Sequence, residues 1–153
     1  MAVTGPFENR NFRVKWDGRF VAGVSKISGL RWSADVVTMR DGATNVEGTG
    51  PGRTKYEPLT LERGVTFDLA FEEWAQQVMG NAPVAGTILK DLVIDLYDPA
   101  GSLVVSYKVM QCWPSSYEAM SVLDADGNVM VVERLMLEYA TFERDTSVGV
   151  PGS

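Results

Sequence analysis

Phe12-Arg13-Val14-Lys15-Trp16-Asp17-Gly18-Arg19-Phe20-Val21-Ala22-Gly23-Val24 decides the fold class. Phe12, Val14 and Trp16 fall on one face of an extended chain, with Arg13 and Lys15 on the other. That period of two is what a half-buried strand requires. Asp17-Gly18 supplies two positions that tolerate positive φ, the mark of a tight hairpin turn, and the chain returns through Arg19 to Val24.

Working outward, a third extended run spans Leu30 to Arg40 and carries Trp32, Val36, Val37 and Met39. The segment Asp41 to Thr54 (Asp-Gly-Ala-Thr-Asn-Val-Glu-Gly-Thr-Gly-Pro-Gly-Arg-Thr) follows. Its four glycines, one proline and scarcity of apolar residues predict a long loop, a feature that in compact domains is usually functional or disordered. Extended structure resumes over Lys55 to Arg63, where Leu59 and Leu61 alternate with Thr60 and Glu62.

One helix is predicted, over Phe67 to Met79. Phe67, Phe71, Trp74 and Val78 form a stripe at helical spacing, Thr66 is the expected N-cap and Gly80 the stop. Beyond it, Leu92 to Tyr97 reads as a strand running into the turn Asp98-Pro99-Ala100-Gly101. Leu103 to Trp113 follows, ended by Pro114, with a further strand over Tyr117 to Leu123. Asp124 to Asn128 is read as a turn, Val129 to Phe142 as a long strand, and 145–153 as a frayed tail. The expectation is one domain over 1–153, mainly β and carrying one α-helix.

Composition narrows the chemistry. The chain has 153 residues, no histidine, and a formal net charge of −6. Lacking histidine, it has no Ser-His or Cys-His nucleophile pair and lacks the commonest nitrogen ligand for zinc. The lone Cys112 cannot close an internal disulfide, and in an apolar stretch it reads as a buried, inert thiol. Residues 1–76 hold ten basic and ten acidic side chains, so the whole −6 lies in 77–153, a distribution that disfavours binding to nucleic-acid phosphates. The N-terminus has no secretory pattern, and no apolar stretch approaches the length of a membrane span, so synthesis in the cytoplasm without membrane insertion is expected.

Tested motifs fail. Gly48 to Lys55 lacks the Gly-Lys-Ser/Thr order of a phosphate loop, and Arg53 stands where a dinucleotide fingerprint needs glycine. In Asp124-Ala125-Asp126-Gly127-Asn128 the glycine is fourth rather than sixth, and Leu135 occupies the twelfth position where a calcium loop needs Glu. Asp91, Asp95 and Asp98 are too scattered to specify a carboxylate pair. No catalytic, metal or cofactor residue is assigned, and no enzyme activity is expected.

The order of motifs nonetheless resembles the tail-tube family, the tube proteins of contractile phage tails and of phage-tail-like extracellular contractile injection systems. The landmarks are Phe12-Arg13-Val14-Lys15-Trp16 with Asp17-Gly18, Ala22-Gly23-Val24 through Ser28-Gly29-Leu30, Val36 to Gly42, and Pro51-Gly52-Arg53-Thr54-Lys55-Tyr56. Leu59-Thr60-Leu61-Glu62-Arg63-Gly64-Val65-Thr66, the Trp74 helix, Cys112-Trp113-Pro114-Ser115-Ser116-Tyr117 and the last strand from Val129 complete the series. Glu62 departs from the lysine frequent at that position in the family.

The resemblance implies a structural inner-tube subunit, a two-sheet β-sandwich or barrel with one flanking α-helix, that forms hexameric rings stacked around a channel. Its implied partners are itself, a sheath protein, baseplate and spike proteins, and protein cargo in the lumen, within a phage-tail-like particle in the cytoplasm or released outside the cell. The alternatives are a phage tail tube conducting DNA and a tube-like baseplate adaptor or cargo-binding ring. In such an assembly the 41–54 segment is expected to bear the stacking contact through Asp41, Gly42, Asn45, Glu47, Gly50, Pro51, Gly52, Arg53 and Thr54. Lys55, Tyr56, Glu62 and Arg63 are expected at ring contacts. A share of the acidic excess is expected to line the channel, where a negative wall repels acidic cargo.

Overall fold

The computed structural model describes residues 11–41, 46–79, 88–127 and 130–148. Strands β1 (Phe12–Trp16) and β2 (Arg19–Phe20) meet in the expected hairpin, with Asp17 and Gly18 at φ 53° and 75°. Both angles are left-handed, which is why Asp-Gly was legible as a turn. β3 (Val24–Ile27), β4 (Trp32–Asp41), β5 (Val46–Tyr56), β6 (Leu59–Gly64), β7 (Lys90–Tyr97), β8 (Leu103–Glu118), β9 (Val132–Glu138) and β10 (Thr141–Arg144) complete the strands, and α1 spans Ala70–Met79.

Eight strands form one antiparallel path, β2-β1-β7-β8-β9-β6-β3, with β10 also on β8. β8 folds that path into two layers. Its first half pairs with β7 and β10, its second half with β9. Between the halves Gln111 has φ 56°, and the ladder shifts register between Lys90 and Leu92 and again between Pro114 and Ser116. The Gln111 amide donates to Asp91 Oδ1 at 3.0 Å, so the irregular residue keeps its hydrogen bond.

Pro114 therefore does not end the strand, as expected from sequence, but sits buried at a register shift within a strand of 16 residues. Proline is tolerated at such irregularities because the ladder bond it cannot donate is already interrupted there. The long final run also breaks in two, at Tyr139-Ala140, as it passes from β9 to β10 around the same corner.

Leu59 and Leu61 of β6, Leu135 and Leu137 of β9, Val14 and Ile94 of the other layer, and Val109 and Cys112 of β8 point into the core. Helix α1 adds Phe71, Trp74 and Ala75, with the Trp74 ring centred 4.8 Å from that of Trp16 and tilted 51° to it, and its Nε1 donating to the Ile88 carbonyl. The helix begins later than its stripe predicts. Phe67 is fully exposed, and Asp68 rather than Thr66 caps the helix, its Oδ1 accepting the Ala70 amide at 2.8 Å. An aspartate side chain reaches the free amides of a first turn as well as threonine does, so the two sites could not be ranked from spacing alone.

The tail also differs from expectation over 145–148. The Asp145 amide donates to the Ser106 carbonyl, and its carboxylate accepts from both the amide and the hydroxyl of Ser147, closing a turn. Those two bonds hold the Asp145 carboxyl below its ordinary value. Residues 149–153 lie outside the described residues. Among the described residues no helix is long and apolar enough to cross a membrane.

Candidate functional site

From Val46 to Thr54 the segment expected to be a loop is a strand. β5 pairs antiparallel with β4 from Trp32↔Tyr56 to Asp41↔Val46, and among the described residues the two make a sheet of their own with no other strand on either edge. The signal in the sequence was glycine at 48, 50 and 52, alternating with Thr49, Pro51 and Arg53. That is strand periodicity, masked by residue types normally read as turn formers. The tip, with Gly42 and Asn45, lies outside the described residues.

The glycines have a steric role. A Cβ at Gly50 would lie 2.6 Å from Met39 Cε, and one at Gly52 would lie 2.7 Å from Val37 Cγ2 and 3.1 Å from the Asp35 carbonyl oxygen. Met39 and Val37 thus lie down across the backbone of the facing strand. Pro51 is tolerated because the ribbon is edge on both sides, and a register shift between Ala34 and Val36 falls opposite the Pro51 to Thr54 stretch.

Among the described residues, the base of the ribbon is what joins the body. Tyr56 packs edge-on against Tyr139 and Phe142, 5.8 and 5.7 Å between centroids, and its hydroxyl lies 3.0 Å from Thr141 Oγ1. The Glu57 amide donates to the Arg31 carbonyl. Trp32, paired with Tyr56 at that base, is 57% exposed, and past it the side chains face solvent, Val36 at 75% and Met39 at 57%. Glu47, Arg53, Thr54 and Lys55 are exposed as well, with Arg40 donating to Glu47 at 2.7 Å and Lys55 Nζ 3.9 Å from Asp35.

The four expected ring contacts separate into two kinds. Lys55 is exposed, and Tyr56 is half-buried at the ribbon base. Arg63 is the correction, because its side chain is completely buried. Its Nε donates to Glu133 Oε1 at 2.8 Å, Nη1 to the Ala22 carbonyl and Nη2 to the Asp68 carbonyl, and the guanidinium lies 4.1 Å above the Phe71 ring. Tyr117 donates to the other Glu133 oxygen, and that bond together with burial raises the phenol above its ordinary range. Arg63 thereby ties β6, β9, β8, the β2–β3 connection and the start of α1 together, and is not available to a neighbour. Alternation gave its direction: Leu59, Leu61 and Arg63 share the inward face of β6.

Glu62 faces outward but is held within the subunit. Arg134 bridges it and Glu118 at 2.7 and 2.8 Å, across β6, β9 and β8. The scattered aspartates are likewise structural acceptors: Asp95 takes the Ser106 hydroxyl at 2.7 Å and Asp98 the Ser102 amide at 2.8 Å. Burial pushes the Cys112 thiol up to about 12. Among the described residues the conspicuous unpaired surface is therefore the ribbon.

A family model described as T4-like virus tail tube protein gp19 matches residues 8–143. No curated protein matches the sequence. Among solved structures, the anti-feeding prophage cap, its tube-terminating cap, is 28% identical with a TM-score of 0.79, covering 95% of each chain. The sheath-tube complex of an extracellular contractile injection system, PVC, gives 24% identity and a TM-score of 0.79, covering 94% of this chain and 93% of the other. Hcp1 from Flavobacterium johnsoniae shares the fold more distantly, with 13% identity, a TM-score of 0.53, and coverage of 91% and 96%.

Proposed function

The chain belongs to the T4-like virus tail tube protein gp19 family, and from that tail-tube identity we propose that it is an inner-tube subunit of a contractile injection system. In this reading six copies close into a ring, and rings stack around a channel for cargo. The observation that carries the stacking role is the β4–β5 ribbon, a folded two-stranded sheet whose edges pair with no other strand among the described residues and whose apolar side chains lie in solvent. A ribbon of this kind is marginal in isolation, and open edges invite pairing with another chain. Packing against neighbouring copies supplies what the single chain lacks. The ribbon residues Glu47, Gly50, Pro51, Gly52, Arg53 and Thr54, with Lys55 and Tyr56 at its base, then belong to the assembly contacts, and the role is architectural rather than catalytic.

Sheath, baseplate and cap proteins are the partners this reading adds. Its support is that the similar structures come from a sheath-tube complex, a tube-terminating cap and a baseplate. Location follows as part of a phage-tail-like particle.

Size-exclusion chromatography and negative-stain microscopy of the purified full chain test the proposal. Hollow tubes of stacked rings are expected. Single rings that never stack would favour a cap or baseplate adaptor, and a monomer at high concentration would overturn the reading.

A further inference from the structure

The ribbon base rests on β10, and the other edge of that layer is formed by β1, β2 and β7. Alternation turns Val14 and Trp16 into the core and leaves Arg13 and Lys15 on the outer face. Register sets Lys15 opposite Phe20 and Arg13 opposite Asp95. The Arg13 guanidinium lies 5.5 Å from the centre of the Phe20 ring and 5.2 Å from that of Tyr97, and Lys15 Nζ lies 5.6 Å from Phe20. Such ring contacts hold a guanidinium in place without using its N–H donors. Among the described residues Arg13 has no ion-pair partner, because the nearby Asp95 is buried and accepts the Ser106 hydroxyl at 2.7 Å. Beside Arg13 opens a polar pocket of about 320 Å³, walled by Asn11, Tyr97, Asp98 and Gly101.

We infer that this face is a docking site for an acidic peptide segment of a partner protein, one carboxylate of which enters the pocket to meet Arg13. The inference does not depend on the tube reading, since it concerns a surface apart from the ribbon. Three observations select the occupant. First, the group left without a partner is a held cation. A guanidinium pairs a carboxylate through two parallel hydrogen bonds, and arginine beside aromatic rings is the usual make-up of a strong protein contact. Second, the same pocket wall carries an acceptor, Asp98, whose Oδ1 already takes the Ser102 amide. A peptide brings N–H donors along with its carboxylates. Inorganic phosphate or a nucleic-acid backbone brings oxygens alone, and both would meet Asp98 and Asp95 unfavourably. Third, the formal charge of −6 lies wholly in residues 77–153, so the hairpin belongs to the half with no net charge. At physiological ionic strength charges beyond about 8 Å are screened, and an approaching carboxylate responds mainly to Arg13 and Lys15.

Fluorescence polarisation with the full chain tests this, using a labelled peptide of alternating Glu and Ala as the probe. Saturable binding that weakens as salt rises is expected, and none by the same peptide with Lys in place of Glu. Arg13→Gln is expected to weaken binding about tenfold, and Arg13→Lys to restore little, because an ammonium lacks the paired donors of the fork. Lys26→Gln removes the same charge from an exposed site on β3, at the opposite end of the strand path, and is expected to leave binding unchanged. Equal losses from Lys26→Gln and Arg13→Gln would overturn the site by showing an effect of net charge alone. Arg13 is exposed, so its variants are expected to keep the unfolding midpoint. Phe20→Leu gives a second readout: it keeps an apolar side chain but removes the ring that holds both cations, and is expected to weaken binding as well. No binding of the Glu peptide would overturn the proposal. So would displacement of the peptide by inorganic phosphate, or tighter binding of an oligothymidylate. Tube formation is expected to survive Arg13→Gln. Loss of tubes with peptide binding intact would overturn the proposal and assign this face to contact between copies.

Discussion

β6 and β5 are consecutive strands of one sheet protein, three residues apart, and they are built on opposite terms. Along β6 every second residue is buried, and even a charged one, Arg63, is taken wholly inside and matched to Glu133, two carbonyls and a ring face. Along β5 almost nothing is buried, and the inward-lying positions of its better-packed face are glycines. The body is stabilised by its own contacts. The ribbon has a specified shape but little internal stabilisation, which is what a segment that completes its packing in a neighbour requires. Substitutions in the two regions should therefore separate folding from assembly.

The largest effect belongs to the buried network. Arg63→Met keeps the volume roughly but leaves the Glu133 carboxylate buried without its cation. A loss of about 3–5 kcal/mol is expected, read as a lower urea midpoint at unchanged slope. Arg63→Lys should recover little, because one ammonium cannot reproduce a fork that reaches Glu133 and two carbonyls at once. The double variant Arg63→Met with Glu133→Met should be more stable than Arg63→Met alone. A loss below about 1 kcal/mol for the single change would show that the body does not depend on this group.

Alkali probes the same interior with a smaller effect. Folded Cys112 titrates at about 12 against 9.0 for the free thiol, and Tyr117 and Tyr97 are also raised, burial being the largest cause in each. The sign follows from linkage. The unfolded chain loses these protons first, so stability is complete below about pH 9 and falls as pH rises toward 12. For Cys112 alone the loss is of the order of 2 kcal/mol by about pH 10.5, one and a half units above the free value. Urea midpoints measured at intervals from pH 8 upward should show the fall, and Cys112→Ala should flatten it. A flat profile in the unmodified chain would contradict the burial of these groups.

Much of the body could be read in the sequence because its elements satisfy a single rule each. Asp17-Gly18 needed only positive φ, and Leu59-Leu61 needed only period two. The errors fell where two local signals competed. Pro114 looked like a strand end, but it sits at a corner where the ladder is already interrupted. Phe67 matched the helical stripe, yet Asp68 caps the helix after it and leaves Phe67 in solvent. Gly48, Gly50 and Gly52 carried both a composition typical of loops and a spacing typical of strands, and composition was the misleading half. Arg63 is a ring contact in what the resemblance implies, yet its alternation with Leu59 and Leu61 puts it inside. The resemblance to tail-tube proteins rested on the order of motifs, so it survived all four misreadings.

In the ribbon the expected effects on stability are small and local. Gly52→Ala places a methyl against the Val37 side chain and the Asp35 carbonyl, the latter being backbone that cannot swing away. A cost of about 1 kcal/mol is expected, confined to the ribbon and visible as faster amide exchange in β4 and β5 with the body's protection unchanged. Gly50→Ala meets only the flexible end of Met39 and should be nearly silent. If Gly52→Ala lowered protection throughout the body, the two regions would be one cooperative unit and the contrast between them would fail.

The smallest expected change in stability is also the one that isolates assembly. Val36 is 75% exposed and makes its only regular pairing with Pro51, so Val36→Asp removes almost no buried surface from the single chain. Within about 0.5 kcal/mol its unfolding midpoint should match that of the unmodified protein, as for ordinary surface substitutions. In an assembled contact the same position would be desolvated, and an unpaired carboxylate there costs far more than the lost valine contributes. Val36→Asp should therefore fold normally, keep ribbon amide protection in the monomer, and give no tubes by microscopy at concentrations where the unmodified chain forms them. Charge at the neighbouring exposed Thr38 supplies the comparison, since Thr38→Asp adds the same carboxylate on the same strand without deleting an apolar side chain. If both variants still form tubes, the ribbon stays in solvent in the assembly, and its open edges and exposed tryptophan need another explanation.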